Sequence, residues 1–376
     1  MSRTLTAAVT ALALAGVAAA PAIAQTRKSI QAPAKPLTLK ARGSFYVGGE
    51  SAEATAAELG IGVADRVTIN QMYVEFMEPV GRAKLPIILV HGAGLSGKSY
   101  DTTPDGRAGW FEYMARQGHP TYVIDQVGRA RSGFNHITLN RRLLGEAAAA
   151  QPAANPTAVP GGVGGPGGPR GAAFRFGEQY GVWTNFRFGP KPGEAFQDEQ
   201  FPVEAVGELA KQSIPDLSSL VPQPNPTLKN LADLAVDLDG AVLLGHSQSG
   251  AFPMETALVN ASGLRALVAV EPGGCRPSYT DAQIATLAKV PTLILFGDHL
   301  PNDTGMGPNS VTWQNRYDGC AAYAARIKAA GGKIELIKTT DLGIRGNSHM
   351  LMQDRNSDRI ADIILKWVDA NARKAG

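Results

Sequence analysis

The strongest constraint on this chain is a rhythm of short, solid apolar runs. Residues 87–90, 122–124, 242–244, 266–270 and 292–296 are apolar at nearly every position, and helix-length stretches separate them. Runs of that kind suit strands buried on both faces of a parallel sheet; a strand with one wet face alternates instead. Residues 334–337 read as a further strand and residues 360–372 as a closing amphipathic helix. Ahead of the series, residues 43–48 and 67–77 alternate apolar and polar side chains, as in an exposed antiparallel hairpin. The expected architecture is a doubly wound α/β fold with a mostly parallel sheet. Its ligand is expected at the carboxyl ends of the strands.

Residues 134–239 break the rhythm. They contain a Pro/Gly tract, residues 151–171, that can pack as neither helix nor strand. The aromatic stretch FRFGEQYGVWTNFRFG follows it, residues 174–189. One reading makes these aromatics a local core under a loop. The other makes them a cap whose Phe176, Trp183 and Phe186 line a substrate pocket. The expected organisation is residues 25–133 and 240–376 as two parts of one core, with 134–239 as a cap insertion.

The N-terminus reads as a separate unit. Met-Ser-Arg leads into a small-residue apolar run over residues 5–20, and Pro21-Ala22-Ile23-Ala24 supplies an A-x-A site. This is the pattern of a secretory signal peptide, residues 1–24, cleaved after Ala24. The expectation is an exported protein, periplasmic or secreted, with no membrane segment once the signal is removed. The formal charge is +3 and the basic residues are scattered, which argues against nucleic acid or a membrane surface as partner. A homodimer is left open. Cys275 and Cys320 are the two cysteines, and export permits a disulfide between them.

Chemistry enters at AVLLGHSQSGAF, where an apolar run ends at Gly-His-Ser-Gln-Ser-Gly and a helical pattern follows. G-x-S-x-G on a strand-to-helix turn exposes a serine and uses small neighbours so that the backbone can bend. Here Ser249 stands where the second glycine is usual, and Gly250 comes one residue late. Ser247 is therefore the candidate nucleophile, and it needs a base and an acid that orients the base. His349 lies in RGNSHMLMQD, between the last strand and the last helix, where the base belongs in the chain order serine, acid, histidine. His91 and His246 lie inside strand-end turns, His299 precedes the last strand, and His119 and His136 precede Ser247. Two carboxylates end strands: Asp298 in LILFGDH and Glu271 in LVAVEPGG. Spacing favours Asp298.

Residues 92–99 also match G-x-x-x-x-G-K-[ST], the phosphate-cradling loop, with Lys98 as its lysine and Asp125 as a magnesium aspartate. A phosphate loop opens a long helix near that lysine, yet Pro104 and Gly106 follow within two turns. A nucleotide hydrolase is thus the weaker reading. The same loop begins His-Gly-x-Gly, where an ester hydrolase keeps an oxyanion donor.

The blocks HGAGLSG, TTPDGRAGW, YVIDQVGRARS, FRFGP, QFPVEA, LLGHSQSG, VEPGGC, FGDH and GNSHMLMQDRN occur in this order across nearly the whole mature chain. Together they resemble a small family of exported bacterial serine esterases with the α/β-hydrolase fold, whose described member carries adjacent cysteines beside the active site. The resemblance implies Ser247 as nucleophile, His349 as base and Glu271 as acid, which reverses the preference from spacing and leaves Asp298 as the fallback. It implies the backbone N–H groups of Ala93 and Gln248 as oxyanion donors. It implies a small-molecule ester substrate and neither metal nor cofactor. The cysteine pair falls at Ala93 and Gly94 here and is absent, and the Pro/Gly tract looks like an expansion of the cap. A non-catalytic binding protein on the same scaffold is the alternative.

Overall fold

A computed structural model describes residues 25–143, 180–216, 221–276, 278–305 and 310–372. Eight strands form one sheet: β1 Leu39–Ala54, β2 Asp65–Pro79, β3 Ile87–Val90, β4 Thr121–Asp125, β5 Ala241–His246, β6 Leu264–Val270, β7 Thr292–Phe296 and β8 Ile334–Lys338. Their order is β1-β2-β4-β3-β5-β6-β7-β8. β2 is antiparallel to both β1 and β4, and every pairing from β4 through β8 is parallel. This is the mostly parallel α/β sheet expected from the solid apolar runs.

Burial on both faces explains those runs. Along β3, Ile88 and Val90 join one hydrophobic layer while Ile87 and Leu89 join the other. Along β5, Leu243 faces the first layer, and Val242 and Leu244 face the second. Helices Pro226–Asp237, Phe252–Val259 and Trp313–Ala329 cover the first face. Helices Trp110–Arg116 and Ser357–Asn371 cover the second. In Pro226–Asp237 an apolar stripe of Leu228, Leu231, Leu234 and Ala235 is buried against the sheet layer. That packing lays this helix against the sheet.

The N-terminal hairpin is longer than the alternation indicates. β1 and β2 stay paired from Leu39↔Pro79 out to Ala54↔Asp65. Gly48 and Gly49 read as a strand end in sequence. In the structure they adopt positive φ where Gly48 pairs with Gln71, next to Asn70 at φ 61, and the ladder continues past them. Glycine takes that conformation without steric cost, so the ribbon bends without breaking.

The strand ends position the chemistry. Ser247 follows β5 directly, Glu271 follows β6, and Gly297-Asp298 follows β7. His349 sits in the loop between β8 and the last helix.

Candidate active site

Ser247 stands at φ 57, in the left-handed region that non-glycine residues seldom occupy. Its neighbours show why small residues surround it. A Cβ on Gly245 would collide with the Ser249 carbonyl oxygen, and one on Gly250 would lie 2.5 Å from Pro272 Cα. Ser249, which replaces the usual glycine, is fully buried and works as a clasp. Its Oγ accepts from His246 N–H at 3.0 Å and donates to Val90 O at 2.8 Å, which ties the turn to the end of β3.

His349 Nε2 lies 2.9 Å from Ser247 Oγ, and His349 Nδ1 lies 3.0 Å from Glu271 Oε2. A carboxylate only accepts, so the proton sits on Nδ1 and leaves Nε2 free to take the serine proton. The imidazole is clamped on several sides. Its backbone N–H donates to Phe186 O at 2.9 Å. His246 Nε2–H donates to His349 O at 2.9 Å, and burial pushes the His246 imidazole down to about 3, so it stays a neutral strut. The rings of Trp313 and Phe186 pack on His349 with centroids 4.1 Å and 4.9 Å away.

Glu271 is fully buried and sits at φ 48. Burial alone would raise its carboxyl, but the Arg187 guanidinium and His349 hold it well below the usual carboxylate range. Arg187 Nη2 donates to Glu271 Oε1 at 2.7 Å, and the Gly297 N–H donates to the same oxygen. For His349 burial dominates and lowers the imidazole; Glu271 opposes that shift, and the Arg187 and Arg316 cations add to it.

Asp298, the carboxylate favoured by spacing, does not meet the imidazole. Its Oδ2 accepts from Gly346 N–H at 3.0 Å and its Oδ1 from His299 N–H at 2.7 Å, so it braces the histidine loop. The donor atoms of Asp198, Asp298 and His299 lie within 4.8 Å of one another, the group among the described residues best placed to hold a metal. His299 Nε2 and Asp198 Oδ1 already pair at 2.9 Å.

The loop after β3 reaches the nucleophile through Gly92, where a Cβ would lie 2.9 Å from Ser247 Cβ. Ala93 is the next residue along that loop. Among the described residues the Ala93 N–H has no acceptor. The Gln248 N–H lies in the first turn of the helical stretch Ser247–Ala251, where amides have no partner within the helix. Buried His91 shapes this loop: Nδ1–H donates to Gly92 O at 2.9 Å, and Nε2 accepts from Gln126 N–H at 3.1 Å. The phosphate-loop residues are engaged elsewhere. Lys98 Nζ donates to Thr102 O at 2.6 Å, while Asp125 accepts from Gly97 N–H at 2.7 Å and from Arg131 Nε at 2.6 Å. Residues Gly97–Tyr100 form only a short 3-10 turn.

Of the aromatic candidates, Phe186 lies on His349. Trp183 is packed edge-on against Phe188 with its indole N–H on Glu194 O at 3.0 Å, and Phe176 lies outside the described residues. Cys275 and Cys320 are joined in a disulfide. Sequence reasoning missed Asn185 and Arg187, and named Phe186 only as a pocket aromatic. Asn185 O accepts from Trp313 Nε1–H at 2.7 Å, Phe186 O holds the base, and Arg187 holds the acid. Arg187 also donates from Nε to Asp298 O at 2.6 Å and sits at φ 62. The only signal for it was membership of the FRFGP block.

The sequence matches no protein-family model. A solved structure described as that of a novel bacterial esterase is 43% identical. The match covers 91% of this chain and 99% of that one, with a TM-score of 0.77. A probable secreted lipase from a fungal species (strain ATCC 74256) is 22% identical, over 86% of this chain and 88% of its own length.

Proposed function

This chain belongs to the same family of α/β-hydrolase-fold esterases as that bacterial enzyme, and from there we propose that it is an exported serine esterase working through Ser247, His349 and Glu271. One observation carries the reading: a single neutral imidazole spans the hydroxyl and the carboxylate, at 2.9 Å and 3.0 Å. In the first step His349 Nε2 takes the hydroxyl proton as Ser247 Oγ attacks the ester carbonyl carbon. The oxyanion that forms is held by the N–H groups of Ala93 and Gln248, each worth about 3 kcal/mol in systems of this type. The carbon–oxygen bond to the alcohol breaks, and the alcohol leaves with the proton from His349. Water then attacks the acyl-enzyme, gives its proton to His349 and releases the acid and the serine. Glu271 fixes the imidazole tautomer and stabilises the imidazolium.

Export is supported by the leader pattern, by the Cys275–Cys320 disulfide, which suits an oxidising compartment, and by the site of the first residue after cleavage. The Gln25 backbone nitrogen lies 2.8 Å from Glu208 Oε1, and the Gln25 side chain donates to Thr103 O at 3.0 Å. A new α-ammonium at Gln25 would meet a carboxylate.

The test is hydrolysis of p-nitrophenyl acetate by the purified mature protein. Ser247→Ala should abolish turnover and leave the fold intact; retained turnover sinks the nucleophile. Glu271→Gln should cripple the enzyme more than Asp298→Asn, and the reverse order would remove Glu271 as the acid. Lys98→Ala should be nearly silent.

A further inference from the structure

We propose that Asp216 is a positioning residue for the oxyanion hole, gripping both of its arms with one carboxylate that Arg129 neutralises. The proposal rests on the esterase reading above. Asp216 Oδ2 accepts from the Gly94 backbone N–H at 3.3 Å and from the Gln248 side-chain Nε2 at 3.3 Å. Gly94 follows one donor residue, Ala93, and Gln248 is the other. The two arms come from the ends of different strands, β3 and β5, which the Ser249 hydroxyl also ties together further back. Arg129 Nη2 donates to Asp216 Oδ1 at 2.8 Å, and both side chains are buried. The backbone beside Asp216 adds a second grip, because Ile214 N–H donates to Gly94 O at 2.8 Å.

The consequence follows from peptide geometry. A peptide unit is rigid, so holding the Gly94 N–H and C=O fixes the planes on either side of its Cα. The plane shared with Ala93 carries the Ala93 C=O and Cα, so that end of the residue is anchored, and the Ala93 N–H, in the next plane towards Gly92, can turn only about the Ala93 φ and ψ. Gly94 sits at φ 62, where a side chain would be strained, so this approach to Asp216 is open to glycine in particular. Gln248 is tied through its side chain, which leaves its backbone N–H for the oxyanion.

Charge explains Arg129. A bare carboxylate behind two donors would oppose the negative charge that develops on the substrate oxygen. Arg129 Nε and Nη1 have no other acceptor among the described residues, so its cation is committed to Asp216. The pair therefore orients the donors without adding net negative charge. Asp216 comes from the segment between β4 and β5, outside the strand ends that carry the reacting groups.

The experiment compares Asp216→Ala and Asp216→Asn with the wild type on p-nitrophenyl acetate, together with affinity for an aryl trifluoromethyl ketone and the melting temperature. Removal of a whole oxyanion donor costs about 10²–10³ in kcat, so loss of its support should cost about 10–100-fold in kcat. KM should stay within about threefold, and ketone affinity should fall in step with kcat/KM, because these contacts act on the transition state. Asp216→Asn keeps the shape and one accepting oxygen and should lie between, with kcat down at least about fivefold. If Asp216→Ala does not fold, the Asn variant decides. Wild-type kcat in the Asn variant overturns the proposal, as does a loss confined to KM or unchanged ketone affinity beside a reduced kcat. A wild type with no ester turnover overturns the esterase reading and this proposal together, whereas an active wild type beside Asp216 variants of undiminished kcat overturns this proposal alone.

Discussion

Arg187 reaches the buried acid from outside the sheet, and its charge sets the protonation of two groups at once. It holds the Glu271 carboxyl low and adds to burial, the larger effect, in disfavouring the His349 imidazolium. A base must be neutral to act, and a lowered imidazole keeps the neutral form present at lower pH. The acid limb of kcat/KM should therefore fall below the ordinary imidazole value of about 6.5. Arg187→Gln removes the cation, so Glu271 protonates more readily and His349 charges more readily. Both effects move the acid limb upward, by about a unit or more, and kcat falls with it. Arg187→Lys keeps the charge but loses the fork that also reaches Asp298 O, and should lie between. A pH–rate profile of the three proteins checks this; an unmoved limb in Arg187→Gln would remove the electrostatic role. The meeting of Ser247 and His349 was legible because each sits in a local motif at a strand end. Glu271 was legible only through the family resemblance, since two strands end in carboxylates and spacing alone favoured Asp298; the three-dimensional register brings Glu271 to Nδ1. Arg187 lay beyond sequence reasoning because its partners are about 84 and 111 positions away in the chain.

At the scale of an element, the turn after β5 departs from the common pattern without losing its function. Ser249 takes the place of a glycine and uses its hydroxyl to fasten β5 to β3. Restoring the pattern with Ser249→Gly should therefore destabilise the protein. It orphans the buried His246 N–H, leaves Val90 O with the Tyr100 hydroxyl but without the Ser249 one, and frees the backbone, for a loss of about 1–3 kcal/mol. Activity at 25 °C should remain within about threefold, because Ser249 touches no reacting group. Thermal unfolding and p-nitrophenyl acetate kinetics on the pair check both parts, and an equally stable glycine variant would contradict the clasp. The helix after the turn and the parallel strands were legible, since two-sided burial writes itself as an unbroken apolar run. The hairpin was not: Gly48 and Gly49 carry a bend inside a continuous ladder, and sequence punctuation cannot distinguish a bend from an end.

The whole molecule is held together around the site by long-range ties. The Cys275–Cys320 disulfide links the turn four residues past Glu271 to helix Trp313–Ala329, across a separation of 45 residues. Trp313, at the start of that helix, packs on His349, so one covalent link spans the supports of acid and base. Closing a loop of that length lowers the entropy of the unfolded chain by about 4 kcal/mol in the chain-entropy account. The two sulfurs were visible in the sequence, but their meeting depended on how β6 and the helix pack, which spacing does not encode. Cys275→Ala/Cys320→Ala should lower the melting temperature by roughly 5–10 °C. The folded variant should retain most of its kcat at 25 °C, because non-covalent contacts still place Trp313: its indole N–H on Asn185 O and the neighbouring Arg316 on Gly273 O. The same outcome should follow when the wild type is reduced. Calorimetry with and without reductant, beside ester turnover at 25 °C, separates the two contributions. A double variant that melts like the wild type would mean that packing alone holds the supports of acid and base together.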